Sequence, residues 1–521
     1  MGLIDTDGLC RAALCVPLIL VAYTVLVCIY NVTLHPLAKY PGPIAWRVSA
    51  VPSILSLLRG RIAFDYKLLH DRYGAVVRVM PNELSFNTAE AWDDIYGHRV
   101  GRLNMDKDPI HVGAVEPIPG ATNLTMAPDA HHARQRRALA HAFSKQALLE
   151  QEPILRDYVD LFVAKLRDMA HEGKAANMVS WFNFCTFDII GDLSFGEPFG
   201  CLREGEGSES ANWVVLIYES IKAGAIEQAT RRFAKPGSLS QRFLMWCIPS
   251  IIRERRARHL RNSTEKTLRR MATKTEHRDF LWYILKQREK KNEVSDDEVI
   301  MNAALFIVAG SETTATALCG ITNYLLRNPP MYKRLVAEIR TACASQADIT
   351  MDVLAALPYL NACIEEGLRI FPPVPIGLLR TVPQGGSLID GHAVPGGTCV
   401  CVGSWAAAHS VHNFFQPDSF LPERFMDTDA SRALYGRDIN KAARPFSTGP
   451  RGCLGRNLTH VELRLILGAL LWNFDLEFAD GGAPLWDPRN EFEGLKAYNT
   501  WEKSPLMVKL RDVREDACVG S

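Results

Sequence analysis

Hydrophobic and polar positions repeat with a helical period through most of the middle of the chain. Helical patterns fill much of residues 130 to 375 and are predicted at Ala130–Gln146, Glu152–His171, Met178–Asp192, Asn212–Ala223 and Asp296–Arg327. Short strand-like runs lie nearer the two ends, around Val76–Phe86 and Leu388–Val402. The pattern predicts a mainly α protein with small peripheral β-sheets, in the α+β class.

The pattern that begins at Asp296 is the longest. Ser295-Asp-Asp-Glu298 is a capping box ahead of an apolar run, and Asn328-Pro-Pro330 ends the run after about thirty residues. A helix of this length that is apolar through its middle is expected to cross the whole core.

An uncharged apolar segment lies near the N-terminus. The 19 residues from Ala12 to Tyr30 carry no charge, and at the helical rise they span roughly 30 Å, the hydrocarbon thickness of a bilayer. We predict a transmembrane anchor at residues 12–30, with residues 1–11 luminal and the body cytosolic because basic residues follow the run at Lys39, Arg47, Arg59 and Arg61. A cleaved signal peptide is the alternative, but the run is long and no small-residue cleavage site follows it.

Residues 31–45 form a proline-rich segment. Three prolines lie in His35–Pro43 and restrict the backbone, so we expect an extended, stiff connector. Residues 46–521 contain no linker or repeat that would divide them, and a single catalytic domain is predicted there.

Composition limits the classes of function. The chain is 47% hydrophobic and 22% charged, with a net charge of +1, which is typical of a globular enzyme and gives no general attraction for nucleic acid. The 13 cysteines include no C-x-x-C pair, so neither a zinc site nor a dithiol centre is indicated. Cys399 and Cys401 alternate in a strand-like run and are expected to be small buried hydrophobes.

One cysteine has an unusual setting. It lies in Phe446-Ser-Thr-Gly449-Pro-Arg451-Gly-Cys453-Leu-Gly455, directly before a helical pattern from Arg456 to Leu471. The N–H groups at a helix N-terminus favour thiolate over thiol, and a thiolate is a soft metal ligand. Arg451 could pair with a carboxylate of a cofactor, and Phe446 could cover one face of the loop.

The pattern F-x-x-G-x-R-x-C-x-G resembles the signature of the cytochrome P450 haem-thiolate monooxygenases, and other motifs of that family follow the same order along the chain. The resemblance implies the cytochrome P450 fold and haem b (iron protoporphyrin IX), with Cys453 as the axial ligand of the iron. It also implies cofactor contacts for Phe446, Gly449, Arg451 and Gly455.

The long helix carries Ala309-Gly310-Ser-Glu312-Thr313-Thr314. By resemblance, this helix passes over the haem and opens locally at Ala309 and Gly310. Thr313 would then hydrogen-bond dioxygen, and Glu312 would help to relay protons. The alternative interpretation is a threonine that bonds its own helix and a solvated glutamate.

Residues on the same helical stripe as Thr313 are expected to line a mostly apolar substrate pocket, namely Asn302, Leu305, Phe306 and Ala309. We hypothesise that Asn302 hydrogen-bonds a substrate oxygen. A core asparagine paired with backbone explains the same residue equally well.

Two further motifs are interpreted through the resemblance. Glu366-Gly-Leu-Arg369, together with Arg424 of Pro422-Glu-Arg424-Phe425, resembles a buried network that pins the segment bearing Cys453.

The basic helix from His131 to Ser144 resembles the one that faces the haem propionates and the electron donor. Arg136, His132 and Arg380 are predicted propionate contacts, although His132 stands where many members have tryptophan. The basic surface of this helix could equally be only a solvated face.

The resemblance implies a monooxygenase that hydroxylates or epoxidises an apolar small molecule. The proline-rich connector and the Pro422–Phe425 motif resemble those of filamentous fungal members, many of which act in secondary metabolism. Electrons would come from NADPH through a separate cytochrome P450 reductase, with cytochrome b5 as a possible second donor, because the chain has no nucleotide-binding motif. The predicted location is the endoplasmic reticulum membrane. Alternatives are desaturation, oxidative coupling or isomerisation without oxygen insertion, and a catalytically silent haem-binding or scaffold protein.

Overall fold

The computed structural model describes residues 6–99, 101, 104–113, 115, 118–291, 294–479, 481, 486–487 and 494–514. The first five residues of the predicted luminal segment and the last seven of the predicted catalytic domain lie outside these ranges.

Helices make up most of the described chain. They are α1 Thr6–Thr33, α2 Ile44–Val48, α3 Val51–Leu58, α4 Ile62–Tyr73, α5 Ala89–Tyr96, α6 Asp129–Leu139, α7 Lys145–His171, α8 Met178–Phe195, α9 Cys201–Glu204, α10 Glu209–Phe233, α11 Leu239–Trp246, α12 Ser250–Ala272, α13 Phe280–Lys291, α14 Asp296–Arg327, α15 Pro329–Ala342, α16 Met351–Ala355, α17 Pro358–Ile370, α18 Ser404–Ala408, α19 Asp429–Tyr435 and α20 Arg456–Asn473.

The strands are short. They are β1 Val76–Met80, β2 Glu83–Phe86, β3 Asp106–Lys107, β4 Ala176–Asn177, β5 Arg380–Thr381, β6 Ser387–Ile389, β7 His392–Val394, β8 Cys399–Val402, β9 Phe474–Phe478, β10 Lys496–Ala497, β11 Trp501–Glu502 and β12 Met507–Asp512. The largest sheet has the order β1-β2-β8-β5-β3, and only its β2–β8 pair is parallel. The small peripheral sheets predicted from the sequence are confirmed.

Helix α14 lies at the centre of the main core, where it packs against α8, α12, α17 and α20. The predicted capping box is present: the Ser295 side chain accepts from the Glu298 N–H, and the Glu298 carboxylate accepts from the Ser295 N–H. Pro329 begins α15 two residues after α14 ends. Both helix ends are therefore where local sequence signals placed them.

Other predicted boundaries moved. The helix predicted at Ala130–Gln146 ends at Leu139, and the next helix begins at Lys145 rather than Glu152. The reason is a cap, because the Ser144 hydroxyl accepts from the Ala147 N–H at 3.2 Å and starts α7 there. Helix α10 also extends beyond Asn212–Ala223 in both directions.

The predicted extended connector is wrong in its conformation. Residues 34–40 form successive turns, and Leu37 and Tyr40 are buried against the sheet that contains β1, β2 and β8. The Tyr40 hydroxyl also donates to the Ala393 carbonyl at 2.9 Å. Burial of these two apolar side chains outweighs the preference of the proline-rich segment for extended backbone.

Helix α1 contains the predicted anchor and is apolar and exposed in its second half, Leu18–Thr33. Among the described residues, only α14 is long and apolar enough by itself to satisfy the criteria for a span, but 83% of its apolar window is buried. Helix α14 is therefore the core helix of the body.

Candidate functional site

The loop before α20 presents Cys453. A single turn of 3₁₀ helix covers Gly449–Arg451, and the Cys453 N–H donates to the Phe446 carbonyl at 2.9 Å, which closes the loop. Gly449 has φ +70°, and a Cβ there would lie 2.0 Å from the carbonyl oxygen of Tyr96. Only glycine can occupy this position, since both the left-handed backbone and the close approach exclude a side chain.

Two kinds of surroundings act in opposite directions on the pKa of the Cys453 thiol. The side chain is exposed, yet the protein packed around it desolvates the sulfur and raises the pKa of the thiol. Backbone N–H groups of Gly455 and Arg456 and the positive charge of Arg136 act in the other direction and favour the thiolate. These N–H groups and the Arg136 charge stabilise a thiolate, and a bound metal ion would neutralise its negative charge further. Cys453 is therefore suited to act as a metal ligand.

One face of α14 is open. Between Glu298 and Leu325, the residues that are not buried are Ala309, Gly310 and Thr313, which share a face of the helix. The hydroxyl of Thr314, next to Thr313, donates to Glu462 on α20 at 2.9 Å. The helix that follows Cys453 is therefore joined directly to the segment of α14 that carries the open face.

A group of basic side chains, called the cation cluster below, gathers near the cysteine loop: Lys107, Arg136, Arg380 and Arg451, with the imidazole of His132 among them. Arg451 pairs with Asp129 at 2.7 Å, but its buried Nη1 has no partner. Burial, followed by repulsion from Arg380 and Arg451, lowers the pKa of Lys107 to about 7. No ion pair of Lys107, Arg136 or Arg380 occurs within the described ranges.

The composition of this cation cluster indicates what kind of group would bind beside Cys453. A group that brings two carboxylates would relieve the mutual repulsion and satisfy the unpartnered Arg451 nitrogen. The thiol of Cys453 and the open face at Ala309 and Gly310 supply a sulfur ligand and a surface without bulky side chains. The residues present therefore fit a haem with two propionates.

The predicted propionate contacts occupy different settings. Arg136 donates to the Gly452 carbonyl at 2.7 Å, within the cysteine loop itself. Arg380 is buried and stacks over the Tyr96 ring at 5.1 Å. His132 is buried as well, and burial together with the charges of Arg451 and Arg136 lowers its pKa to about 4, so its imidazole is neutral.

Sequence reasoning missed Lys107 and His111. Strand β3 places Lys107 opposite Arg380 in the sheet, and the buried Nε2 of His111 has no hydrogen-bond partner. Neither residue belongs to a recognisable motif, because only the β3–β5 pairing brings them to the cation cluster. No local signal in the sequence could have found them.

The resemblance implies that helix α14 opens at Ala309 and Gly310 and that Thr313 hydrogen-bonds dioxygen; the structure describes α14 as one helix from Asp296 to Arg327. The Thr313 hydroxyl instead donates to the Ala309 carbonyl at 2.6 Å. Glu312 is buried and pairs with Lys503 at 2.7 Å. The solvated glutamate considered above is therefore excluded.

Asn302 does not face a pocket, which corrects the hypothesis that it binds substrate. It is fully buried, its Oδ1 accepts from the Leu124 N–H at 2.8 Å, and its Nδ2 donates to Gln135 and to the Glu298 carbonyl. All of its polar groups are used in the core, so its role is structural.

The predicted buried network around Glu366 is present. Both carboxylate oxygens accept from Arg369, at 2.7 and 2.8 Å, and the Nε of Arg424 lies 3.1 Å from Oε2. Arg369 also donates to the carbonyls of Ala408 and Pro417, and Arg424 pairs with Asp438. The network holds the irregular chain between α18 and α19, upstream of the cysteine loop.

Comparisons with known proteins agree with this site. The family model described as "Cytochrome P450" matches residues 41–496. The chain is 44% identical to "Cytochrome P450 monooxygenase aba2" of Botryotinia fuckeliana, over 93% of this chain and 92% of that protein. It is 44% identical to "Cytochrome P450 monooxygenase ABA2" of Pyricularia oryzae, over 95% of each, and 43% identical to "Cytochrome P450 monooxygenase astJ" of Aspergillus oryzae, over 92% and 93%. The chain therefore belongs to the cytochrome P450 family of haem-thiolate monooxygenases.

Proposed function

We propose that this monooxygenase binds haem through Cys453 and inserts one oxygen atom into an apolar small molecule, by hydroxylation of a C–H bond or epoxidation of a C=C bond. One observation carries the proposal: the accessible Cys453 thiol, whose sulfur is partly desolvated by the surrounding protein, lies beside the cation cluster. Bound haem supplies the reductive activation of dioxygen and the transfer of the oxygen atom.

The residues of the chain divide the remaining work. Cys453 would ligate the iron, while Arg136, His132, Arg380 and Arg451 would hold the propionates. Phe446 and the glycines Gly449 and Gly455 shape the loop around the sulfur. This assignment is supported by the Cys453–Phe446 backbone bond and the forced glycine conformation at Gly449.

Ala309 and Gly310, on the open face of α14, would leave room for dioxygen. Thr313 would hydrogen-bond dioxygen, and Glu312 would move a proton toward it. The Thr313 hydroxyl can do so by rotating away from the Ala309 carbonyl that it now bonds. The apolar neighbours Leu305 and Phe306 support an apolar substrate, in line with the general character of ligand pockets.

The proposed location is the endoplasmic reticulum membrane, with residues 12–30 as the anchor, residues 1–11 luminal and residues 46–521 cytosolic. The exposed apolar stretch Leu18–Thr33 supports this. So does a second exposed apolar area on α11, formed by Leu239, Phe243 and Trp246, since lipid would cover both.

Electrons are proposed to come from NADPH through a cytochrome P450 reductase, with cytochrome b5 as a possible second donor. An acidic donor surface would suit the exposed basic residues on and after α6, namely His131, Arg137 and His141.

The fungal organisms of the three relatives support a role in fungal secondary metabolism.

The test is incubation of the full chain with a reductase, NADPH and candidate pathway intermediates under ¹⁸O-labelled dioxygen. We expect one labelled oxygen in the product. Unlabelled product with consumption of NADPH would replace oxygenation by desaturation or coupling. Thr313→Ala should divert reducing equivalents to hydrogen peroxide, whereas Thr322→Val, on a buried turn of the same helix, should not.

A further inference from the structure

A buried lysine from the C-terminal part of the chain reaches into the segment of α14 that carries Glu312 and Thr313. Lys503 follows β11, and its Nζ donates to Glu312 Oε1 and to Thr316 Oγ1, each at 2.7 Å. The side chains of Lys503 and Glu312 are only 3% and 7% exposed. The ammonium group has thus left water for one carboxylate oxygen and one hydroxyl.

The contacts on Glu312 are one-sided. Oε1 accepts from Lys503 and also from the Thr316 hydroxyl at 3.1 Å. Oε2 accepts from no group within the described ranges, although it is not among the fully enclosed unpartnered atoms. The carboxylate is therefore fixed through one oxygen, and the other oxygen stays available.

The backbone that carries Lys503 is itself anchored on both sides. Trp501 is fully buried, and its indole N–H donates to the Pro372 carbonyl at 2.8 Å. The Leu506 N–H donates to Asn177 at 3.2 Å, and the Leu506 carbonyl accepts from the Met178 N–H at 2.8 Å. These anchors hold the start of the ammonium-bearing side chain in place relative to α14.

A buried ion pair gives little net stability, because desolvation of the two charges offsets most of their attraction. A purely structural explanation for Lys503 is correspondingly weak, whereas a fixed carboxylate beside Thr313 has a direct chemical use. A proton donor must be held within reach of its acceptor, and a freely rotating carboxylate in this position would not be.

We propose that Lys503 is a positioning residue for proton delivery. It fixes Oε1 of Glu312, so that Oε2 can take a proton from solvent water and pass it toward the Thr313 hydroxyl. Glu312 returns to the carboxylate after each transfer, and Lys503 keeps its own protons throughout. The inference rests on the proposed role of Glu312.

The test uses the haem-loaded full chain with a cytochrome P450 reductase, and it follows NADPH-dependent dioxygen consumption without added substrate. Lys503→Met keeps an unbranched apolar stem and removes the terminal ammonium group with its charge. We expect it to slow dioxygen consumption by about tenfold or more and to enlarge the solvent deuterium isotope effect. Lys503→Arg should retain most of the rate, because it keeps a charged donor for Oε1.

The matched control is Lys222→Met. Lys222 pairs with Glu502, the neighbour of Lys503, at 3.2 Å, and its side chain is 35% exposed. We expect a rate close to that of the unaltered protein. An equal loss in Lys222→Met would overturn the inference, because general disturbance of the antiparallel β10–β11 pair and the residues after it would then explain both results.

A second readout does not depend on turnover. The infrared difference spectrum between the unaltered protein and Glu312→Gln contains the carboxylate stretch of Glu312, which should shift in Lys503→Met and return in Lys503→Arg. If Lys503→Met fails to bind haem, Lys503→Gln replaces it. Its neutral amide is one bond too short to reach Oε1, so the same slowing is expected.

The outcomes separate two failures. If Glu312→Gln consumes dioxygen at the normal rate, the proposed role of Glu312 is wrong. If Glu312→Gln is slow while the Lys503 variant with haem bound is normal in rate and isotope effect, the role of Glu312 stands and the assignment of Lys503 is overturned.

Discussion

The Thr314 hydroxyl donates a 2.9 Å hydrogen bond to Oε2 of Glu462 and so joins the helix that bears Thr313 to the helix that begins after Cys453. Glu462 is buried, and its Oε1 has no partner. Burial raises the pKa of the Glu462 carboxyl to about 8, and the hydrogen bond from Thr314 only partly opposes this. The carboxyl is therefore largely protonated at neutral pH.

This raised pKa makes stability depend on pH. Between the ordinary value of 4.5 and about 8, the folded protein holds a proton at Glu462 that the unfolded chain has released. The free energy of unfolding contributed by this group therefore falls as pH rises, by about 1.4 kcal/mol for each pH unit at most. Glu462→Gln lacks the effect, so its stability relative to the unaltered protein should increase across this range. Chemical unfolding at both ends of the range measures it, and a difference that does not change with pH would contradict the prediction.

Cys453→Ser should abolish the thiolate-type Soret band of the reduced carbon monoxide complex, because serine offers no thiolate to the iron. The control is Cys247→Ser, since Cys247 is another exposed free cysteine, at the C-terminal end of α11. Its spectrum should be unchanged. A normal band in Cys453→Ser would remove the ligand assignment.

Glu366→Ala should yield little haem-loaded protein. It leaves Arg369 and Arg424 buried without their shared carboxylate, and loss of one partner of a buried pair destabilises by about 3–5 kcal/mol. The adjacent Glu365 is the control. Its side chain is 39% exposed and pairs with His460, so Glu365→Ala should change stability by about 1 kcal/mol or less. Haem content and thermal unfolding distinguish the two variants, and equal yields would contradict the assigned role of the network.

Asn302→Ala should lower the melting temperature rather than redirect the chemistry. The variant leaves the Leu124 N–H unpaired in the core, and a loss on the order of 2 kcal/mol is expected. The product distribution on any accepted substrate should be unchanged. Altered regioselectivity with normal stability would restore the hypothesis that Asn302 contacts the substrate.

Features that depend on local chemistry could be predicted from short stretches of the sequence. The capping box at Ser295 and the prolines after Asn328 define α14, because caps and ring constraints act over a few residues. The glycine pattern around Cys453 identified the cysteine loop for the same reason, since positive φ and close backbone approach leave a residue signature. Pairing within the Glu366–Arg369 turn follows from helical spacing, while Arg424 could be added only through the family resemblance.

Features that depend on contacts between distant segments became visible only in the folded structure. The pairing of β3 with β5 places Lys107 in the cation cluster. The segment Trp501–Leu506, anchored at both ends, places Lys503 against Glu312, from 191 positions away along the chain. The tertiary structure also encloses Asn302 in the core and folds the proline-rich connector onto the body. Such contacts are set by burial and by strand pairing over the whole chain, and no short stretch of sequence carries that information.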